Sequence, residues 1–105
     1  MPTISTNFAG QTVITTFETT PGTAQDLIDA LTDAYATFIS RQPGFISSAI
    51  HMNDAQTRVA NYSQWTRRED FQAMLRTSEM RERNRVIATL CSRFEPVMYE
   101  VMGVF

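Results

Sequence analysis

Two side chains that can hydrogen-bond a small molecule, Asn61 and Trp65, lie four positions apart in the segment RVANYSQW. If this segment is a β-strand, both lie on one face together with Val59 and Ser63. At ~3.3 Å per residue their Cα atoms are roughly 13 Å apart, which suits the two ends of one small-molecule pocket. Asn offers two N–H donors and Trp one donor on a large ring, so the pair could hold a carbonyl or an oxyanion of a flat aromatic ligand. The alternative is that Asn61 satisfies nearby backbone groups and Trp65 belongs to the core.

The single histidine, His51, precedes this strand. A five-residue hairpin loop (53–57) would pair His51 with Val59 and place it on the Asn61 face. A four-residue loop (53–56) would turn it to the other side, so its direction depends on the register. One histidine and one cysteine, Cys91, do not supply a multi-histidine or multi-cysteine metal site, and we expect no metal.

A further candidate charge comes from Arg81 and Arg85, which are four residues apart and share a helix face. The mixed charges of MRERNR are typical of a solvated face, but an inward-pointing Arg would supply a fixed positive charge. Phe71, Ser63 and Leu75 are predicted to line the same pocket. No Ser-His-Asp triad, phosphate loop or nucleotide fingerprint is present in the sequence.

Hydrophobic periodicity predicts the elements that position these residues. The predicted strands are 11–19, 45–52, 58–65 and 97–105. The predicted helices run from 24 to 41, after a cap at Thr23, and from a cap at Thr66 to Arg76. A further helical piece is predicted from Glu79 to about Arg93, beyond a break or a new cap at Thr77-Ser78. Residues 1–10 are predicted to form a loosely held arm of a single domain, 1–105. The order β-α-β-β-α-β predicts a ferredoxin-like α+β fold, in which both helices cover one face of a four-stranded antiparallel sheet.

The strands carry apolar residues on both faces, although a sheet covered on one side should alternate apolar and polar residues. In the first strand Val13 opposes Ile14, and in the last Met98 opposes Tyr99. A second covering layer is therefore needed, and we expect a second copy of the chain, in a homodimer packed sheet to sheet.

The composition limits the partners. The 105 residues carry a net charge of −2, all nine basic residues are Arg, and acidic residues are interleaved with them, so nucleic-acid binding is not expected. No basic segment precedes an apolar h-region, and no apolar run reaches ~18 residues. We therefore expect no secretory signal, no membrane span and a cytoplasmic location.

Three segments carry a resemblance to a known family: PGFISSAIH at 43–51, VANYSQW at 59–65 before a capped helix, and the terminal YEVMGVF. In this order they resemble the antibiotic biosynthesis monooxygenase domain family. The resemblance implies a dimeric α+β barrel. It is closest to the cofactor-free oxygenases of aromatic polyketide pathways, which oxidise anthrones to quinones with O₂ as co-substrate.

The resemblance also implies catalytic roles. Asn61 and Trp65 would be donors to an oxyanion or carbonyl, Arg85 the countercharge, and His51 an optional proton acceptor. A Tyr of the relatives is replaced by Phe71, which removes a hydroxyl that could bind substrate or relay a proton. The ionised aromatic itself reduces dioxygen, so the protein needs only to position, desolvate and stabilise the anion.

Two other functions are compatible with the same fold. Haem-degrading relatives bind iron through a histidine on the helix after the Trp, and this chain has no histidine beyond His51. The remaining alternative is a non-catalytic dimeric module that binds a small ligand or responds to stress, because fold alone does not give function.

Overall fold

The fold is taken from a computed structural model that describes residues 2–105. Four strands and three α-helices follow one another along the chain. They are β1 (Gln11–Glu18), α1 (Ala24–Thr37), β2 (Phe45–Met52), β3 (Arg58–Trp65), α2 (Arg68–Arg76), α3 (Ser78–Ile87) and β4 (Arg93–Tyr99). The strands form one antiparallel sheet in the order β2-β3-β1-β4. The predicted ferredoxin-like α+β fold is confirmed.

The core lies between the helices and one face of the sheet. Alternation along β1 and β3 turns Val13, Phe17 and Val59 toward the helices, where each is buried. In α1 the buried residues Ala24, Leu27, Leu31 and Ala34 recur at three- and four-residue steps and form the opposing layer.

The end of the first helical region differs slightly from the prediction. α1 ends at Thr37, and a short 3-10 turn, Ile39–Arg41, carries the chain to the predicted Pro43-Gly44 stop. Gly44 has φ +84°, a left-handed conformation that favours glycine. Its carbonyl accepts a hydrogen bond from Thr66 N at 2.7 Å, which fixes the start of β2 against the end of β3.

Only one of the three predicted threonine positions acts as a side-chain cap. Thr77 accepts a hydrogen bond from Met80 N at 3.2 Å and begins α3. Thr23 precedes α1 without a side-chain capping bond, because its hydroxyl pairs with Thr19 and Thr20 instead. The prediction that Thr66 caps the next helix is wrong, because the residue before α2 is Arg67. Arg67 also makes no side-chain capping bond.

The prediction of the last strand at 97–105 is also wrong. α3 ends at Ile87 and β4 already begins at Arg93, where Phe94 stacks on Phe17 with ring centroids 5.6 Å apart. Proline is rare inside strands, yet Pro96 lies inside β4 and opposite Thr15. An edge strand tolerates proline because the missing N–H has no neighbouring strand to pair with.

The hairpin between β2 and β3 has neither predicted register. Met52 lies opposite Val59 and His51 opposite Ala60. Asn53 closes the turn, because its side-chain oxygen accepts hydrogen bonds from the backbone N–H groups of Thr57 at 2.9 Å and Arg58 at 2.8 Å. These bonds to the backbone, which periodicity does not report, set the register.

The sheet face opposite the helices, here called the open face, is partly apolar. Half-buried Ile14, Ala60, Tyr62 and Val97 lie on it.

Residues 2–10 form neither helix nor strand, yet Gln64 Nε2 donates to the carbonyl of Thr3 at 2.6 Å, which ties the arm to the open face. Met1 of the predicted arm lies outside the described residues. No helix in the part of the chain described by the structure is long and apolar enough to cross a membrane.

Candidate active site

A small cavity lies between the sheet and the helices. Its free space is about 40 Å³. Most of its wall is apolar and comes from both layers: Phe17, Leu31, Ile39, Phe71, Met74, Leu75, Met80, Ile87, Phe94 and Pro96. Four polar side chains interrupt this wall, namely those of Thr15, Tyr35, Asn61 and Asn84. Small-molecule sites usually have this composition, a mostly apolar concave wall with a few polar groups.

Asn61 is the most deeply placed of these polar side chains and is 2% exposed. It comes from the centre of β3, between Thr15 of β1 and Ile50 of β2. Ser48 Oγ donates to its side-chain oxygen at 2.6 Å, and its side-chain nitrogen donates to the hydroxyl of Tyr35. Asn61 lines the cavity, and both ends of its amide are held by side chains rather than by backbone.

Tyr35 of α1 is a site residue that the sequence analysis missed. It lies on the apolar face of α1, where the periodicity favours a core role, but a tyrosine in such a stripe has a hydroxyl that needs a partner. Burial raises the pKa of this phenol above 10.0, although hydrogen bonds with Asn61, Ser48 and Ser63 act in the opposite direction. The phenol therefore stays protonated at neutral pH.

Trp65 lies beside the cavity but not in its wall. It is fully buried, and its indole N–H donates to Ser63 Oγ at 3.2 Å. Its ring meets Phe45 and Phe71 edge to face, with centroids 5.4 and 5.6 Å apart. The alternative that Trp65 belongs to the core describes its position. It supports Phe71, which does line the cavity.

The other predicted pocket residues divide in the same way. Leu75 and Phe71 line the cavity as expected. Ser63 is 1% exposed and lies behind the wall, where its hydroxyl donates to the carbonyl of Val13 at 3.3 Å. Ser63 therefore links Trp65 to β1 and is not part of the cavity surface.

His51 does not reach the cavity. Its position opposite Ala60 turns the imidazole to the open face, the orientation that the four-residue-loop alternative gave, although the register differs. The ring is exposed and its Nδ1 lies 3.3 Å from the carbonyl oxygen of Ala60. A proton acceptor role toward a ligand at Asn61 is therefore not supported within one protomer.

Neither candidate arginine points inward. Arg81 and Arg85 are exposed, and Arg85 donates to Glu82 at 2.6 Å. The buried side chains of α3 are Met80 and Ile87, so the helix is rotated by about one residue from the predicted face. This rotation places Asn84, which sequence reasoning overlooked, at the cavity.

The cavity therefore carries no fixed charge. Among the described residues that line it, Tyr35 is the only ionisable one, and it is neutral at pH 7. No group of three or more His, Cys, Asp or Glu residues between 2 and 105 is placed to hold a metal ion. The arrangement can donate hydrogen bonds to an oxygen of an apolar ligand and can exclude water from it.

The comparison with known families identifies the class. Residues 11–85 match the family described as antibiotic biosynthesis monooxygenase, and the chain belongs to this family. A search of curated proteins gives no significant match.

Several solved structures share the fold. ActVA-Orf6 of Streptomyces coelicolor, a monooxygenase in complex with nanaomycin D, is 22% identical over 97% of both chains, with a TM-score of 0.81. SnoaB of Streptomyces nogalater, a cofactor-independent oxygenase, is 16% identical in a mutant form, with a TM-score of 0.80 over 92% of this chain and 97% of that chain. An anthrone oxidase-like protein is 23% identical, with a TM-score of 0.85 over 92% of this chain but only 41% of that longer one. At these identities the likeness shows the fold alone.

Proposed function

We propose that the chain is a cofactor-independent monooxygenase that oxidises a hydroxylated aromatic of the anthrone or quinol type with O₂. The observation that carries the proposal is the buried amide of Asn61, which is held by Ser48 and Tyr35 at the edge of an apolar cavity. Such an amide is already oriented to donate to an oxygen that becomes negative. The oxygenases of similar fold add support.

The reaction balances without a further reductant. In an anthrone a CH₂ group becomes C=O, which releases four electrons, and O₂ accepts them as one carbonyl oxygen and one molecule of water. Ionisation of the substrate creates the electron-rich anion that reduces O₂. Asn61 stabilises the negative oxygen, and the apolar wall keeps water from the radical and peroxide intermediates.

The substrate must enlarge the cavity. The free space of about 40 Å³ is far below the ~300 Å³ of common ligand sites. The wall includes Met74, Met80 and Leu75, and methionine side chains are unbranched and change rotamer readily. We propose that the ligand displaces these side chains and that its rings pack between the helices and Phe71.

We also propose that the active form is a homodimer whose open faces pack together. The open face exposes apolar groups from β1, β3 and β4, including Ile14, Tyr62 and Tyr99, and apolar residues beyond β4 such as Met102 are exposed as well. A second copy would remove this surface from water.

The function is tested by mixing the purified chain, with a metal chelator present, with 1,8-dihydroxyanthrone in air-saturated buffer. We expect quinone to form faster than in protein-free buffer, with one O₂ consumed per quinone and no reaction under nitrogen. Heat-denatured protein is the control for autoxidation. A rate equal to that of the control, for this substrate and for a set of related quinols, would falsify the oxygenase function.

The small cavity favours a second candidate, a dimeric module that binds a small ligand without converting it. The two functions are distinguished by first mixing the protein with the anthrone under nitrogen and then admitting air. A binding module would quench the fluorescence of its single tryptophan, Trp65, with the anthrone under nitrogen and give no quinone when air is admitted.

A further inference from the structure

Tyr35 lies between the cavity and the outside of the molecule. Its side chain lines the cavity, and it also lines a surface groove between α1 and the edge strand β2. Ser48, which donates to Asn61, lines the same groove. The cluster of Tyr35, Ser48 and Asn61 therefore connects the mostly apolar cavity with a groove that is more open to solvent.

The ionisation of a substrate in this cavity needs a path for its proton. No carboxylate or histidine lines the wall among the described residues, so the cavity holds no side chain that acts as a base near neutral pH. An amide such as that of Asn61 donates hydrogen bonds but does not exchange its protons on a catalytic timescale. Thr15 and Tyr35 both bring a hydroxyl to the cavity, but only Tyr35 also lines the groove that is open to solvent.

We propose that Tyr35 is a catalytic residue that relays a proton between the hydroxyl of the substrate and solvent in the groove beside β2. This inference rests on the proposed oxygenase function. The Tyr35 oxygen receives the proton of the substrate O–H bond, which belongs to a quinol or to the enol tautomer of an anthrone, while its own proton passes to Ser48 or to water in the groove. Tyr35 is neutral again after the step, and the products are the substrate anion and a solvated proton. When the peroxide intermediate breaks down to the quinone and hydroxide, the same route returns a proton, which converts the hydroxide to water.

The surroundings of Tyr35 suit a relay rather than a permanent base. The raised pKa of the phenol keeps its proton available at neutral pH. No ionisable side chain other than Tyr35 lines the groove among the described residues. Asp33 of α1 and Arg83 of α3 pair with each other at 2.9 Å and line neither space. The charge of the substrate anion is therefore balanced by hydrogen bonds alone.

The test compares Tyr35→Phe with Tyr62→Phe. The first removes only the hydroxyl at the cavity, and the second removes a hydroxyl on the open face, so both keep the ring. With 1,8-dihydroxyanthrone and O₂, we expect Tyr35→Phe to lower kcat by about 10²-fold with little change in KM. Its rate should then rise with pH in proportion to the ionised substrate, because only the anion already present in solution reacts. Tyr62→Phe keeps the apolar ring that packs in the proposed dimer and changes nothing on the cavity face of β3, so it should keep the kcat and pH profile of the wild type.

A binding measurement separates this inference from the oxygenase function. The colour of 1,8-dihydroxyanthraquinone reports its ionisation, so its pKa can be titrated while it is bound. We expect this pKa to be higher by about one unit or more in Tyr35→Phe, because the anion loses a donor. If the bound pKa shifts in this way but the wild type shows no turnover, the oxygenase function is wrong. The contact between Tyr35 and the ionising oxygen would still be supported. Equal kcat, pH profile and bound pKa in both variants would overturn the relay, and so would failure of the wild type to bind the dye.

Discussion

The replacement Asn61→Ala removes the central amide of the site and is expected to affect turnover and stability by different amounts. The amide makes two side-chain hydrogen bonds, one from Ser48 and one to Tyr35. Loss of one preorganised donor to a developing oxyanion reduces kcat by about 10²–10³-fold. KM should change little, because the donor acts mainly once negative charge has formed.

The stability cost follows from the partners left behind. The hydroxyls of Ser48 and Tyr35 both lose a buried partner, and a buried unsatisfied group costs about 1–3 kcal/mol. Hydrogen bonding between these two hydroxyls offsets part of the loss, so we expect the free energy of unfolding to fall by about 1–3 kcal/mol in total. Urea denaturation followed by the fluorescence of Trp65 measures this change, and the assay is run well below the unfolding midpoint.

A second replacement, at Ser48, tests whether the Asn61 amide acts as an oriented hydrogen-bond donor. Ser48→Ala alone should reduce kcat modestly, because Ser48 only orients Asn61. In the Asn61→Ala background Ser48→Ala should have no further effect on kcat, since there is no amide left to orient. The reasoning is refuted if folded Asn61→Ala turns over at the rate of the wild type, or if the two replacements reduce kcat independently.

Three other predictions concern the fold and its surroundings. Ala60→Arg places a charge at the centre of the open face, and we expect it to convert a dimer to a monomer in analytical ultracentrifugation; a wild type that is monomeric at high concentration contradicts the sheet-to-sheet dimer. Thr77→Ala removes the only side-chain cap among the three predicted ones and should cost about 1 kcal/mol in urea denaturation, whereas Thr23→Ala should cost clearly less. The phenol of Tyr35 has a raised pKa in the folded state, so its stabilising contribution is complete below its ordinary pKa of 10.0 and is lost as the pH rises through the folded value. Between pH 9 and 11 the stability of Tyr35→Phe should therefore fall less steeply than that of Tyr62→Phe, and parallel curves would contradict the burial of the phenol.

Local patterns in the sequence were sufficient for the order of the elements and for one face of β3. Alternation alone places Asn61 on one face of β3 together with Val59, Ser63 and Trp65, because the side-chain period of a strand is fixed by its backbone. It does not tell which of the two faces packs against the helices. The Thr77 cap was predictable for the same reason, since hydroxyl and N–H groups three residues apart meet at any helix start. The bounds of β4 were not, because the place of Pro96 depends on β4 being an edge strand, which only the sheet order shows.

The candidate site was predicted only in part, because its residues meet across elements. The direction of His51 depended on a turn closed by Asn53, and the face of α3 depended on which side chains the core accepts. A bulge between Phe45 and Ser47 also interrupts the alternation along β2, so Phe45 and Ile50 lie on the same face. Such irregularities do not appear in a periodic pattern.

The sequence by itself determined an α+β chain with four strands, and it placed Asn61 and Trp65 on the same face of β3. Only the tertiary structure decided that the partner of Asn61 is Tyr35, 26 residues earlier in the chain, and that Trp65 supports the cavity from behind. The physical reason is the range of the interactions. Backbone sterics and burial act over a few residues and leave a periodic pattern, whereas a hydrogen bond between a helix and a strand exists only after packing has fixed both.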